Sequence, residues 1–258
     1  RAMGRADMND EATSMKPRLI DFYRPAQKLV AEQVYNMAGL GQKDMDGLLI
    51  DSEPLWQEAG SEALLPFGIQ LSDEQYHSST GLRTPEWVAH WFSVYAVHHA
   101  DKKPVIDQIE ENAIRKIKEK GIAMPGVMPV LDFFQERAMT MGLASSSPAR
   151  LIDVVVDQLN IRSYFFRIAS AEKLPYGKPH PQVFIDCADA LSVRPDQCLV
   201  FEDSFNGLIA AKAAKMKCVV VPARGNHAQM KWNAADHVLT SIIEWDEATL
   251  QKIVNSAS

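Results

Sequence analysis

Cysteine is scarce in this chain, with three in 258 residues and no CxxC pair among them. Cys187, Cys198 and Cys218 lie far apart, each beside apolar residues. That pattern argues against a disulfide-stapled scaffold and against sulfur-ligated metal, and it predicts buried thiols of a reducing compartment. Long apolar runs are missing too: none approaches the roughly 20 residues that a membrane-spanning helix requires. The opening RAMGRADMNDEATSMKPR mixes charges of both signs and lacks the continuous apolar segment of a secretory signal, so a cytoplasmic protein with no membrane partner is expected. Positive charge is in deficit, with a formal net charge of -6, which argues against a nucleic-acid surface. An anionic ligand would therefore have to be held by local cations or a bound metal.

What the chain does have is apolar residue, 47% of the total, enough to bury a full core with room for an insert. From about residue 125 onward, short apolar runs at 139–144, 166–169, 198–201, 217–221 and, more weakly, 237–239 alternate with helical stretches at 148–159, 180–191 and 204–215. This alternation predicts an α/β fold, a doubly wound parallel sheet with right-handed crossovers. Ser147 is expected to cap the first of these helices, with Pro148 at its first position. Residues 55–123 differ. Their apolar positions (Trp87, Val88, Trp91, Phe92, Tyr95) recur at helical spacing, a charged helix runs from about 107 to 120, and Gly121 is a candidate C-cap. The expected organisation is an α/β core from 44–54 and 124–245, an all-helical insert over 55–123, a C-terminal helix from 246 and an atypical segment at 1–43.

In an open α/β sheet ligands bind beyond the carboxyl ends of the strands, which directs attention to polar residues that follow the apolar runs. Asp44 and Asp46 are two residues apart in extended chain and would present two carboxylates to one reacting centre, with Gly47 turning the chain away. An Asp-x-Asp pair alone arises easily as an acidic turn. Here it is accompanied, in order, by Ser145, Lys178 and Glu202-Asp203. A hydroxyl and an ammonium can donate to phosphate oxygens, and Asp203 can offer Mg²⁺ the hard oxygen it prefers.

On these residues the chain resembles the haloacid dehalogenase superfamily of phosphatases, in the group whose helical cap follows the first motif. Asp44-Met45-Asp46-Gly47, Ser145, Lys178 and Glu202-Asp203 look like its four motifs, and residues 55–123 like its cap. The resemblance implies a nucleophile at Asp44, a general acid/base at Asp46, Mg²⁺ held by Asp44, Asp46 and Asp203 with Glu202 beside them, and phosphoryl binding by Ser145, Ser146 and Lys178. The segments at 47–56, 142–148 and 170–181 look like those of bacterial hexitol and 2-deoxyglucose-6-phosphate phosphatases, which implies a phosphorylated sugar as substrate; a monomer is expected. In the cap, Arg83 after Thr80-Gly81-Leu82 is a candidate for gripping substrate. A sugar phosphomutase shares the four motifs. Its pattern carries a histidine shortly after the first motif, where this chain has Asp51-Ser52-Glu53-Pro54-Leu55-Trp56.

One stretch departs from the pattern. The residues directly before Asp44, Gly39-Leu40-Gly41-Gln42-Lys43, make a poor buried strand. Residues 18–22 read more like a strand start, followed by a helix-like stretch from about 26 to 37. A catalytically impaired phosphate-binding relative is therefore a second expectation. A receiver-type signalling domain is a third, opposed by the insert of about 70 residues.

Overall fold

The computed structural model describes residues 34–36, 48–79, 82–98, 100–223 and 227–255. Strand β1 (Val34–Asn36) pairs in parallel with β4 (Cys198–Glu202), which pairs with β5 (Lys217–Val220), and β5 pairs with the short β6 (His237–Val238). A second parallel pair joins β2 (Met141–Ser145) to β3 (Phe165–Ser170), with a register shift between Met141 and Gly142. Strand β1 also lies beside β2. The spatial order is thus β3-β2-β1-β4-β5-β6.

Strands β2 and β4 are buried along their whole length. That explains why both read as continuous apolar runs rather than as alternating ones: parallel strands covered on both faces have no solvent side. The crossover helices are α6 (Ala149–Gln158), α7 (Gln182–Ala190) and α8 (Phe205–Ala213), and α5 (Val127–Glu136) leads into β2. The chain ends on α9 (Glu247–Asn255). Phe134, Phe201 and Trp245 meet in the core with ring centroids 4.8–5.7 Å apart.

Between residues 53 and 120 the regular elements among the described residues are helical: α1 (Glu53–Leu64), α2 (Asp73–Ser78), α3 (Thr84–Val94) and α4 (Lys102–Lys120), with a 3₁₀ turn at Leu65–Phe67. Trp87, Val88, Trp91 and Phe92 of α3 are buried, as their spacing predicts. The half-exposed Glu58 and Glu62 carboxylates lie 2.7 and 2.9 Å from the buried Lys116 Nζ and tie α1 to α4. The two crossings between insert and core run side by side. Asp51 N–H donates to Ile122 O (3.0 Å) and Met124 N–H to Leu49 O (2.9 Å), around an antiparallel bridge between Ile50 and Ala123. No described helix is long and apolar enough to cross a membrane.

Two local expectations are corrected. A strand, β1, occupies Val34–Asn36 inside the stretch expected to be helical. The central strand β4 offers a full row of backbone partners there, and such pairing overrides a weak helical preference. Residues 18–22 and 39–47 lie outside the described residues. Helix α6 has Pro148, not Ser147, at its N-cap. The backbone of Ser147 is already engaged, its N–H donating to Ser145 Oγ (3.0 Å) and its carbonyl accepting from Ser170 Oγ (2.6 Å). The helix start is served from outside instead, Ala149 N–H donating to Glu172 Oε2 at 3.0 Å. Gly121 does follow α4 as C-cap, in extended rather than left-handed conformation.

Candidate active site

Ser145, Ser146, Ser147, Lys178, Glu202, Asp203 and Ser204 are all buried, and all belong to the carboxyl ends of β2 and β4 or to the loops that follow β2, β3 and β4. A cluster of enclosed polar groups is costly unless each is paired or meets a ligand, so its restriction to one edge of the sheet marks that edge out.

Lys178 Nζ lies 2.6 Å from Glu202 Oε1, with both side chains fully enclosed, and 4.5 Å from the centre of the Phe184 ring. The Lys178-Pro179 peptide bond is cis. Glu202 is held at its other oxygen by Ser204, whose N–H (3.2 Å) and Oγ (3.0 Å) both donate to Oε2. Ser204 in turn caps α8, its Oγ accepting from Gly207 N–H at 3.0 Å. The carboxylate of Glu202 is thereby fixed between an ammonium and the N-terminus of a helix. Asp203 follows at 8% exposure. The hydroxyls of Ser146 and Ser147 are buried and accept or donate no hydrogen bond among the described residues. Asp44 and Asp46 lie outside the described residues.

Arg83 stands apart from this cluster. Its guanidinium reaches from the insert to the loop after β3, donating to Leu174 O (2.6 Å), Ala171 O (3.2 Å) and Pro175 O (3.2 Å), and it pairs with Glu86 Oε1 at 2.5 Å. Burial pushes the Glu86 carboxyl up, but the hydrogen bonds and charge of Arg83 outweigh it, so the group sits below the usual glutamate range. Glu110 of α4 and Arg150 of α6 form a second tie between insert and core, at 2.9 Å. Beside the Arg83 junction lies a cavity of about 800 Å³, bounded by Leu82, Glu86, Ala89 and His90 of the insert and by the core loop from Tyr176 to Pro181.

The profile of the haloacid dehalogenase-like hydrolases matches residues 44–215. The chain belongs to that family. Hexitol phosphatase B of Escherichia coli K12 is 40% identical over 202 residues, spanning 78% of this chain and 91% of that protein. A fructose-1-phosphate phosphatase of the same organism is 31% identical over 181 residues, covering 69% and 93%. Among solved structures, a β-phosphoglucomutase from Clostridium difficile superposes with a TM-score of 0.75 at 23% identity, over 87% of this chain and 99% of that one. At that identity the likeness speaks for the fold alone.

Within a haloacid dehalogenase-like hydrolase, the sequence pattern leads to Ser145, Lys178, Glu202 and Asp203, and the structure brings all four to one sheet edge. Sequence reasoning missed the residues that hold them. Gly207 is the clearest: a Cβ there would lie 1.9 Å from Glu202 Cδ, so the first turn of α8 rests directly on the carboxylate. A glycine inside an apolar helix, where it costs about 1 kcal/mol relative to alanine, was the available signal. Gly177, next to Lys178, plays a similar part against the insert. A Cβ there would come within 2.9 Å of Arg83 Nε and 3.0 Å of Glu86 Oε2.

Proposed function

We propose that this chain is a Mg²⁺-dependent phosphatase of a small sugar or sugar-alcohol phosphate, acting through a phosphoryl group carried on Asp44. The observation that carries the reading is the burial, at one carboxyl edge of the sheet, of Lys178 and of two serine hydroxyls, Ser146 and Ser147, that have no hydrogen-bond partner among the described residues. Such donors suit the oxygens of a phosphoryl group. The names of the hexitol and fructose-1-phosphate phosphatases support a sugar as the rest of the molecule.

In this mechanism Ser145, Ser146 and Lys178 bind the transferring phosphoryl group, and Glu202 holds Lys178 in place. A carboxylate oxygen of Asp44 forms a bond to phosphorus as the bond to the sugar oxygen breaks, and Asp46 gives its proton to that oxygen. A water then attacks the phosphorus, its proton passes to Asp46, and the bond to Asp44 breaks to release phosphate. Asp203 fits the hard oxygen donor that Mg²⁺ requires, with Asp44 and Asp46 as its expected companions, whereas both oxygens of Glu202 are engaged by Lys178 and Ser204. Bound there, Mg²⁺ would offset the repulsion between a carboxylate nucleophile and a dianionic phosphate. The insert acts as a cap, tied to the core by Arg83 rather than leaving that guanidinium to the substrate.

The test is phosphate release from a panel of hexose and hexitol phosphates, with Mg²⁺ and with excess chelator. Metal-dependent release that disappears in Asp44→Asn supports the reading, and undiminished release in that variant overturns the mechanism. A second reading has its own observation: β1 spans Val34–Asn36, so seven residues, 37–43, separate it from Asp44. A folded protein that binds sugar phosphate without releasing phosphate would favour that impaired relative.

A further inference from the structure

Ser145, Ser146, Ser147 and Lys178 are buried, so a substrate reaches them only when the elements over the sheet edge part. The polar ties between insert and core fall at two ends. Toward the carboxyl edge, Arg83 grips the loop after β3, and Glu110 of α4 pairs with Arg150 near the start of α6. At the other end stands Gln158, the last residue of α6. Its side-chain amide donates both to Ile117 O (3.0 Å) and to Gly121 O (2.9 Å), where α4 ends and the chain crosses back into the core.

Carbonyls at the end of a helix run out of partners within it, so a donor from another element both satisfies and anchors them. The crossings beside this anchor are packed too closely to slide. A Cβ on Gly121 would lie 2.6 Å from Ile117 O and 2.7 Å from Cδ1 of the buried Ile50 in the other crossing. Glu110 stands farther out, about 16 Å along α4 from Gly121 by the helical rise. Rotation about the crossings therefore carries Glu110 away from Arg150, and Arg83 away from its three carbonyls, while barely displacing Ile117 and Gly121.

We propose that Gln158 is the pin on which the insert turns: its amide keeps the last turn of α4 seated on α6 while Arg83 and the Glu110–Arg150 pair release. It is a positioning residue, acting through the seat of α4 and touching no substrate. The inference rests on the reading of the insert as a cap and adds where that cap is held. A side-chain amide suits the task, because its two N–H groups meet two acceptors and it carries no charge. The ion pair at the swinging end is instead weakened by salt. One end is thus made to persist and the other to open.

Pairs of spin labels at exposed sites read the two ends in the ligand-free protein: Ser93→Cys with Asp189→Cys for the swinging end, and Lys118→Cys with Ser163→Cys for the pivot. The native cysteines are buried and stay unlabelled. Arg150→Ala is expected to broaden the first distance distribution and leave the second narrow. Gln158→Leu, which keeps the bulk and removes both donors, should broaden both. Gln158→Arg, which restores donors to the carbonyls, should return both toward the parent. With glucitol 6-phosphate, Gln158→Leu should raise KM about tenfold with kcat nearly kept, the order expected for losing two such hydrogen bonds in closure. A pivot distance that stays narrow in Gln158→Leu overturns the proposal, as does an arginine variant no better than the leucine one. Absence of phosphate release from any ester would overturn the phosphatase reading, while the distances still decide the pivot.

Discussion

Lys178 Nζ and Glu202 Oε1 are 2.6 Å apart, and neither side chain reaches solvent. Lys178 lies in the loop that follows β3 and Glu202 is the last residue of β4, so their contact fixes that loop against the end of β4. Pairs of this kind often add little net stability over an apolar replacement, but removing one partner takes the opposite charge away from the other in a dry site. Glu202→Gln should therefore lower stability by about 3 to 5 kcal/mol, and Lys178→Met by a similar amount. The double variant should lose clearly less than the sum, because both single variants break the same contact. Denaturant midpoints of the four proteins check this, and strict additivity would refute the coupling.

Arg83 spans from insert to core through three carbonyls, a geometry that suits a planar fork and not an ammonium. Arg83→Lys is thus expected to behave more like Arg83→Ala than like the parent, with faster amide exchange in the loop at 171–177. The partner Glu86 makes the junction pH-dependent. Its folded-state carboxyl lies below the ordinary range because Arg83 outweighs the effect of burial. A depressed acid contributes stability that is complete above its unfolded pKa, about 4.3, and that disappears as pH falls through the lower folded value. The stability difference between the parent and Glu86→Gln should accordingly be constant near neutrality and shrink below about pH 4. Unfolding curves over that range decide it, and a difference that grows on acidification would contradict the assignment.

How much of this was legible beforehand follows from the physics of each element. Buried parallel strands must be apolar throughout, so β2 and β4 were visible as runs, and the polar residues at their ends, Ser145 and Glu202-Asp203, stood out against them. Strand β1 was not visible. Three residues carry too little pattern, and what places Val34–Asn36 is a partner strand more than 160 positions away. The insert side of the site was equally opaque. Arg83 in sequence is a turn arginine of either use, and only the spatial approach of the loop at 171–175 shows where its guanidinium goes. Ser147 misled for a related reason: a serine before a proline matches a helix cap, but a neighbouring hydroxyl and a strand residue had taken its backbone.

The three cysteines yield a prediction that needs no substrate. All are buried and unpaired with one another, and burial pushes the thiols of Cys187 and Cys198 up to about 12 and that of Cys218 well above its usual range. At pH 8 a thiol with that pKa is thiolate in on the order of one molecule in ten thousand, and the thiolate is the reactive form. The native protein should therefore show no fast-reacting thiol toward a disulfide reagent, and three after unfolding in denaturant. A rapid native equivalent would mean that one of these sites opens readily to solvent.

Gly207 offers the sharpest single test of how the sheet edge is built. Its N–H donates to Ser204 Oγ, Ser204 donates to Glu202, and Glu202 holds Lys178, so four residues form one chain of contacts from a helix start to the proposed phosphoryl site. The missing side chain is what lets the first turn of α8 sit against the carboxylate, since a Cβ would overlap Glu202 Cδ at 1.9 Å. Alanine favours the helix by about 1 kcal/mol, so on propensity alone Gly207→Ala would stabilise the protein. Overlap of this size forces either the helix or Glu202 to move, at about 1 to 3 kcal/mol or more for overpacking, and the net change should be destabilising. A shift near 1 Å at Lys178 should also reduce turnover about a hundredfold, well beyond what the stability loss explains. Melting temperature and kcat, measured together on Gly207→Ala and on the parent, separate the two effects. Gly207→Ala with parental kcat would show that the carboxylate can move without disturbing the site.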